Sequence, residues 1–141
     1  MSQNKDNSII IVGGANQEYA DEMPEDWEKA ISEAKVLLMQ REIPEKVNVE
    51  ACKIAKKNGV ITILDMGGND VPLDPEMLKM IDYISPNETE LVRVINSVKN
   101  DNLTESEKAL VKDLDAKDPR ITGFNIINIL REFPDMKILF K

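Results

Sequence analysis

Short apolar, β-branched runs alternate along this chain with amphipathic stretches, and this alternation is the strongest constraint on its fold. Such runs are typical of strands buried on both faces of a parallel sheet, and the stretches between them are typical of covering helices. The sequence therefore predicts an α/β fold, a three-layer α/β/α arrangement with a mostly parallel, Rossmann-like sheet of about five strands. The predicted strands are residues 8–12, 36–39, 60–64, 83–84 and 136–140.

Proline residues set most of the predicted helix starts, because proline fits the first turn of a helix and is excluded from its interior. Gly59 is placed to end the second helix. The predicted helices follow Pro24, Pro44, Pro75 and Asn87, and one more covers residues 124–130.

The chain has 141 residues, 42% of them hydrophobic, which is enough for one globular domain with a core of its own. We therefore expect a single domain over residues 1–141. Within it, residues 99–123 turn polar and charged, with Thr104 and Glu107 spaced as a capping box, and we predict a surface excursion there.

The formal net charge of −8 makes nucleic acid and anionic membranes poor partners. The absence of histidine excludes Ser-His-Asp and Cys-His nucleophiles, histidine bases and histidine metal sites. A single cysteine, Cys52, excludes an internal disulfide. No targeting peptide and no apolar run of the roughly 20 residues needed to cross a membrane is visible, so we expect a cytoplasmic protein.

Four segments follow predicted strands, and in a parallel sheet such segments gather at one edge, where ligands bind. Gly13 and Gly14 lack the spacing of a phosphate-binding loop, so turn chemistry explains them. Asp65 resembles the phosphoacceptor of a receiver domain, but the acidic pair that a receiver needs after its first strand is missing. The four segments are residues 13–16, 40–42, 65–70 and 85–90.

Glu42 follows an apolar strand and precedes Pro44. Its carboxylate can accept hydrogen bonds from two hydroxyls of a polyol, and a charged acceptor makes the stronger bonds. The alternative is an acidic residue at a helix entry, favoured by the helix dipole.

Asn87 and Glu90 stand three residues apart after Pro86, and two interpretations are open. Asn87 can cap the following helix while Glu90 closes a capping box. The same pair, on a helix's first turn, can hold a hydrated Mg²⁺ and orient phosphates. Cys52 has no base beside it, so we interpret it as a packing or semi-exposed thiol.

Three segments, taken in order and with their spacing, resemble the ribokinase family of ATP-dependent carbohydrate kinases. That family has an α/β core and a small β lid, a strand ending in Gln-x-Glu-x-Pro and a later Pro-Asn-x-x-Glu motif. The Ile-Ile-Val-Gly-Gly-Ala-Asn segment, residues 10–16, fits as well. The three segments are residues 37–44, ending Gln-Arg-Glu-Ile-Pro, residues 55–59, and residues 82–91, with Pro-Asn-Glu-Thr-Glu.

The resemblance implies a role for four residues. Glu42 matches the acceptor of sugar hydroxyls, and Asn87 matches a nucleotide-contacting residue. Glu90 matches the acid that organises Mg²⁺ and phosphate through water, and Lys141 falls at the start of a loop that touches ATP. The implied reaction moves the γ-phosphoryl of ATP to the 5-hydroxyl of ribose.

The resemblance covers the central segment of the family only. The family's N-terminal sugar-binding part and lid have no counterpart before residue 7, and its Gly-Ala-Gly-Asp motif, which carries the general base, has none after Lys141. No residue of this chain is therefore assigned as catalytic. We expect a partial ribokinase-like core without the β lid, inactive alone, or else a non-catalytic module that binds sugar, nucleotide or protein. Strand edges exposed in such a core favour a homodimer.

Overall fold

The computed structural model of the chain describes residues 10–19, 22–68, 73–97, 126, 130–131 and 133–139. Its centre is a parallel sheet of four strands, and each strand lies beside the next one in the sequence. Parallel pairing throughout confirms the predicted α/β class. The strands are β1 (Val36–Arg41), β2 (Ile61–Gly68), β3 (Tyr83–Ser85) and β4 (Lys137–Ile138).

The helices begin where the prolines and Asn87 predicted. Pro24 and Pro44 occupy the positions just before the first two helices, and Gly59, at a φ of +69°, follows the second. A 3-10 turn, Gly14–Gln17, precedes them. The α-helices are α1 (Glu25–Glu33), α2 (Glu45–Lys57), α3 (Pro75–Leu78) and α4 (Glu88–Ser97).

The hydrophobic core lies on one face of the sheet. Along β2, Thr62, Leu64 and Met66 are buried under the helices. Leu64 meets Ile84 of β3, and this face packs against α2, α3 and α4. Among the described helices, none is long and apolar enough to span a membrane.

The opposite face of the sheet is exposed, which corrects the expectation that the strands are buried on both faces. Leu38 of β1 is 74% exposed, and Val36, Ile61 and Leu139 on the same face are each nearly half exposed. Strands that follow one another in order, joined by right-handed crossovers, place every connecting helix on the same side. The described residues therefore supply two of the three predicted layers.

The strand predicted over residues 8–12 is also not confirmed where the structure describes it. Residues 10–12 form no strand, and Ile10, Ile11 and Val12 are each more than 80% exposed. β-branched residues favour a strand only where a neighbouring strand pairs and packs with them, and residues 10–12 have no such neighbour among the described residues.

Several predictions concern residues outside the described part of the chain. They are the beginning of the first predicted strand, the surface excursion over residues 99–123, Phe140 and Lys141. Of the helix predicted over residues 124–130, Ile126 and Leu130 are described, and both are helical.

Candidate functional site

The carboxyl ends of β1, β2 and β3 meet at one edge of the sheet, as the parallel topology predicted. Asp65 of β2 pairs with Ser85 of β3. On the other side of β2, Met39 pairs with Leu64 but Arg41 pairs with Gly68, so two steps along β1 match four along β2. This bulge lets the Asp65–Gly68 end of β2 fold against the residues that follow β1.

Glu42 lies directly after β1 with its side chain exposed, beside a cavity of about 390 Å³. A cavity of this volume is at the small end of the range for ligand pockets, roughly 300–1,000 Å³. It is lined by Ile11, Val12, Gly13, Asn16, Gln17, Arg41, Glu42, Ile43, Pro44 and Gly68.

The backbone around Glu42 is held by side-chain amides on both sides. Gln17 Nε2 donates to the Glu42 carbonyl oxygen at 3.2 Å, and Asn48 Nδ2 donates to the Gln40 carbonyl oxygen at 2.8 Å. Between them Arg41 is buried, with its guanidinium 4.0 Å from Glu45. The turn that carries the Glu42 carboxylate is therefore fixed to α2 and to the 3-10 turn.

Sequence reasoning assigned a role to Glu42, placed Asn16 in a candidate segment without a role, and did not single out Gln17. Asn16 and Gln17 belong to the 3-10 turn and line the same cavity as Glu42. The sequence did show that residues 10–16 fit the family pattern, but this fit assigned no role to any single side chain.

Asn87 and Glu90 form the predicted capping box at the start of α4. The Asn87 side chain Oδ1 accepts from the backbone N–H of Glu90 at 2.9 Å, and Glu90 Oε2 accepts from the backbone N–H of Asn87 at 2.9 Å. Thr89 also donates its hydroxyl to Asn87 Oδ1 at 2.9 Å. These reciprocal hydrogen bonds confirm the interpretation of the pair as a capping box.

The other carboxylate oxygen of Glu90 faces the end of β2. Glu90 is 7% exposed, and a methyl group placed on Gly67 would lie 3.8 Å from its Oε1. Asp65 Oδ1 accepts from the backbone N–H of Gly67 at 2.9 Å, so a second carboxylate lies close by. Carboxylate oxygens suit a hard cation that keeps several waters. Within the described ranges, however, no group of three or more Asp, Glu, Cys or His side chains converges on one point.

A second hollow, of about 400 Å³, opens on the exposed face of the sheet at the same edge. Its polar lining is Gln40, Asp65 and Ser85, from three adjacent strands, and its apolar lining includes Leu38 and Leu139.

Cys52 lies outside the site, as predicted. It is fully buried in α2, with its Sγ 3.6 Å from the Met39 sulfur. Burial, with the nearby Asp82 charge as a smaller cause, raises the pKa of the Cys52 thiol to about 12. The neutral thiol is therefore a packing group.

Comparison with known proteins defines the class. A model of the pfkB family carbohydrate kinases matches residues 1–118, and the chain belongs to this family.

The similar curated proteins and solved structures include ribokinases. The ribokinase of Arabidopsis thaliana is 49% identical over 89 residues, which are 62% of this chain and 24% of that protein. The ribokinase of Dictyostelium discoideum is 36% identical over 104 residues, which are 72% of this chain and 33% of that protein. The structure of Arabidopsis thaliana ribokinase complexed with ribose and ATP matches with a TM-score of 0.70 and 35% identity, over 96% of this chain and 38% of that one.

These comparisons confirm the resemblance to ribokinases and the α/β fold. They also show that the chain spans between 24% and 38% of the length of these relatives.

Proposed function

We propose that this chain is the central core of a ribokinase-like sugar kinase, whose complete form transfers the γ-phosphoryl of ATP to the 5-hydroxyl of ribose. One observation carries the proposal. Glu42, the carboxylate of the Gln-x-Glu-x-Pro motif, borders a cavity of sugar-binding size. It lies at the edge of the sheet where β3 also ends, and Asn87 and Glu90 follow that strand. Sites at this edge are the rule in open parallel sheets.

Glu42 is proposed to accept hydrogen bonds from two sugar hydroxyls. A carboxylate has two acceptor oxygens and no donor, and hydrogen bonds to a charged acceptor are stronger than neutral ones. Its exposed side chain leaves the carboxylate accessible to a sugar, and its fixed backbone reduces the ordering that binding requires.

Asn87 and Glu90 are proposed to serve the nucleotide, with Lys141 as a further contact assigned by its motif position alone. Mg²⁺, bound with ATP, would neutralise phosphate charge during transfer. Glu90 suits a contact to that ion through water, since one oxygen is held by the Asn87 N–H and the other faces the Asp65–Gly67 turn.

Isothermal titration with D-ribose tests the sugar site. We expect binding in the micromolar to millimolar range, and we expect Glu42→Gln to weaken it at least tenfold, because the charged acceptor is lost. Glu28→Gln, on the exposed side of α1, is the matched control and leaves binding unchanged. Equal binding by the Glu42→Gln and Glu28→Gln variants would contradict the proposal.

A pair of substitutions at Glu90 separates the cap from the nucleotide site. Glutamine also closes a capping box, so Glu90→Gln keeps the stability of α4 while removing the charge; Glu90→Ala loses both, at about 1 kcal/mol for the cap. We expect both variants to bind ATP·Mg²⁺ more weakly in titration calorimetry. If Glu90→Gln binds ATP·Mg²⁺ like the original chain, Glu90 is a cap alone.

The isolated chain is proposed not to turn over. It spans 38% or less of the matched ribokinases, and none of its residues is assigned as the general base. A coupled ADP-release assay with ribose, ATP and Mg²⁺ tests this, and turnover that disappears in Glu42→Ala would contradict it. The second candidate, a non-catalytic module, is favoured by the same short span. Binding of neither ribose nor ATP·Mg²⁺ would indicate a protein-interaction role.

We also propose a cytoplasmic location and a homodimer. A cytoplasmic location fits the single, buried thiol of Cys52, and cell fractionation tests it. A homodimer fits the sheet edges at β1 and β4, which have no neighbouring strand in the described part of the chain.

A further inference from the structure

Two glycines shape the cavity beside Glu42. Gly13 has an ordinary helical φ of −62°, yet a Cβ placed on it would lie 2.8 Å from Gln17 Cγ. The absence of a side chain at Gly13 therefore leaves the space through which Gln17 folds back to reach the Glu42 carbonyl oxygen.

Gly68 acts from the opposite side. Its φ is +100°, and a Cβ there would lie 2.7 Å from the Arg41 carbonyl oxygen and 3.1 Å from Glu42 Cγ. Atoms at 2.7 Å overlap, so only glycine permits this approach of β2 to the turn that carries Glu42. The Glu42 backbone is thus held by the Gln17 amide on one side, and the first part of its side chain, Cγ, lies against Gly68 on the other.

The other residues that line the cavity supply groups that the Glu42 carboxylate lacks. Asn16 supplies an amide, which can both donate and accept, whereas Glu42 only accepts. Ile11, Val12 and Ile43 add apolar surface, and the first two are more than 80% exposed. A cyclic sugar presents hydroxyls along its edge and C–H groups on its ring faces, and this combination matches the polar and apolar groups of the cavity.

We propose that Asn16 is a second ligand of sugar hydroxyls in the Glu42 cavity, and that Gln17 and Gly68 are positioning residues that fix the direction of the Glu42 carboxylate. The ligand class is a small polyol of pentose size. This inference rests on the proposed function for its sugar, but the positioning of Glu42 is measurable without any ligand.

The Asn16 contact is tested by titrating the full chain with D-ribose and with its 2-deoxy and 3-deoxy analogues. We expect Asn16→Ala to weaken ribose binding about tenfold and to lose the discrimination against one of the deoxy sugars. Asn58→Ala is the matched control, because it removes the same amide at the end of α2, where Asn58 Nδ2 donates to the Ile54 carbonyl oxygen. Asn16→Ala that leaves both the ribose affinity and the deoxy-sugar discrimination intact would overturn the contact, while a loss in Glu42→Gln would still support the sugar site.

The positioning role is tested by a double-variant cycle. Gly13→Ala displaces the Gln17 side chain and Gln17→Ala removes it, so both variants lose the same hydrogen bond to Glu42. We expect each to weaken ribose binding severalfold, the double variant to be no weaker than either, and the backbone amide resonances of Glu42 and Ile43 to shift alike in all three without ligand. We expect Gly68→Ala to shift the same two resonances, and Gly59→Ala, which has a positive φ but nothing within 4 Å, to leave them in place.

The outcomes separate this inference from the proposed function. Additive losses in the double variant, or unchanged Glu42 and Ile43 resonances in Gln17→Ala, would overturn the positioning role even where ribose binds. If the original chain binds no ribose, the sugar site and the Asn16 contact both fail, and the resonance shifts decide the positioning role alone.

Discussion

Residue by residue, the pair Asn87 and Glu90 has the best-defined geometry of the candidate site residues. Each side chain caps the backbone N–H of the other, with both donor–acceptor distances at 2.9 Å. The spacing alone predicted this cap, because N-cap and N3 positions depend only on helix geometry. The proximity of Glu90 to the Gly67 turn was not predictable from spacing, since it depends on where β2 ends relative to α4.

Cys52 gives a prediction at the same scale. Its folded pKa of about 12 exceeds its ordinary value of 9.0. A raised folded pKa means that the unfolded chain loses the proton first, so the stability due to the neutral thiol is complete below pH 9 and falls as the pH rises toward 12. Between pH 9 and 10 we expect the free energy of unfolding to fall with a slope steeper than that of Cys52→Ala, by at most about 1.4 kcal/mol per pH unit.

Urea denaturation of the two proteins at pH 8, 9 and 10 measures this difference. The comparison with Cys52→Ala removes the contribution of lysines and tyrosines, which titrate in both proteins. Parallel pH dependences for the two would contradict the burial of the thiol.

Among the elements, β2 shows what periodicity did and did not predict. Its apolar run predicted a strand buried on both faces, but the structure buries Thr62, Leu64 and Met66 and leaves Ile61 and Asp65 exposed. The sequence of β2 does not show which face is buried, because both faces carry apolar side chains. The buried face is the one on which the crossover helices pack.

Two leucines test the sidedness of the sheet. Leu64 of β2 is fully buried, and Leu38 of β1 is 74% exposed on the other face. We expect Leu64→Ala to reduce the free energy of unfolding by about 2–5 kcal/mol, because it opens a cavity in the core. Leu38→Ala makes the same chemical change and should cost well under 1 kcal/mol by chemical denaturation. The comparison is made at concentrations low enough to dissociate any dimer, and similar losses for the two variants there would contradict the sidedness of the sheet.

For the whole molecule, the exposed apolar face and the free edges of β1 and β4 have a common consequence. Parallel sheets are normally covered on both faces, and unpaired strand edges recruit other strands. Among the described residues neither surface has a cover, so we expect the chain to self-associate.

Sedimentation velocity over a range of concentrations measures this association. We expect a dimer that dissociates on dilution, and we expect Leu38→Lys to weaken it by adding a charge to the apolar face. Lys53→Glu, on the exposed side of α2, is a control that leaves the association unchanged. A monomer at all concentrations would contradict the proposed homodimer.

The sequence by itself determined the α/β class, the starts of α1, α2 and α4, and the motif residues Glu42, Asn87 and Glu90. These depend on local rules: proline positions, capping spacing and runs of β-branched residues. The tertiary structure alone decided which face of the sheet is buried, the failure of residues 10–12 to form a strand, and the grouping of Asn16, Gln17 and Gly68 around Glu42. Those features depend on contacts between residues distant in the sequence, 13 positions apart for Cys52 and Met39 and 25 for Gln17 and Glu42. Such contacts follow from the order and handedness of the strand connections.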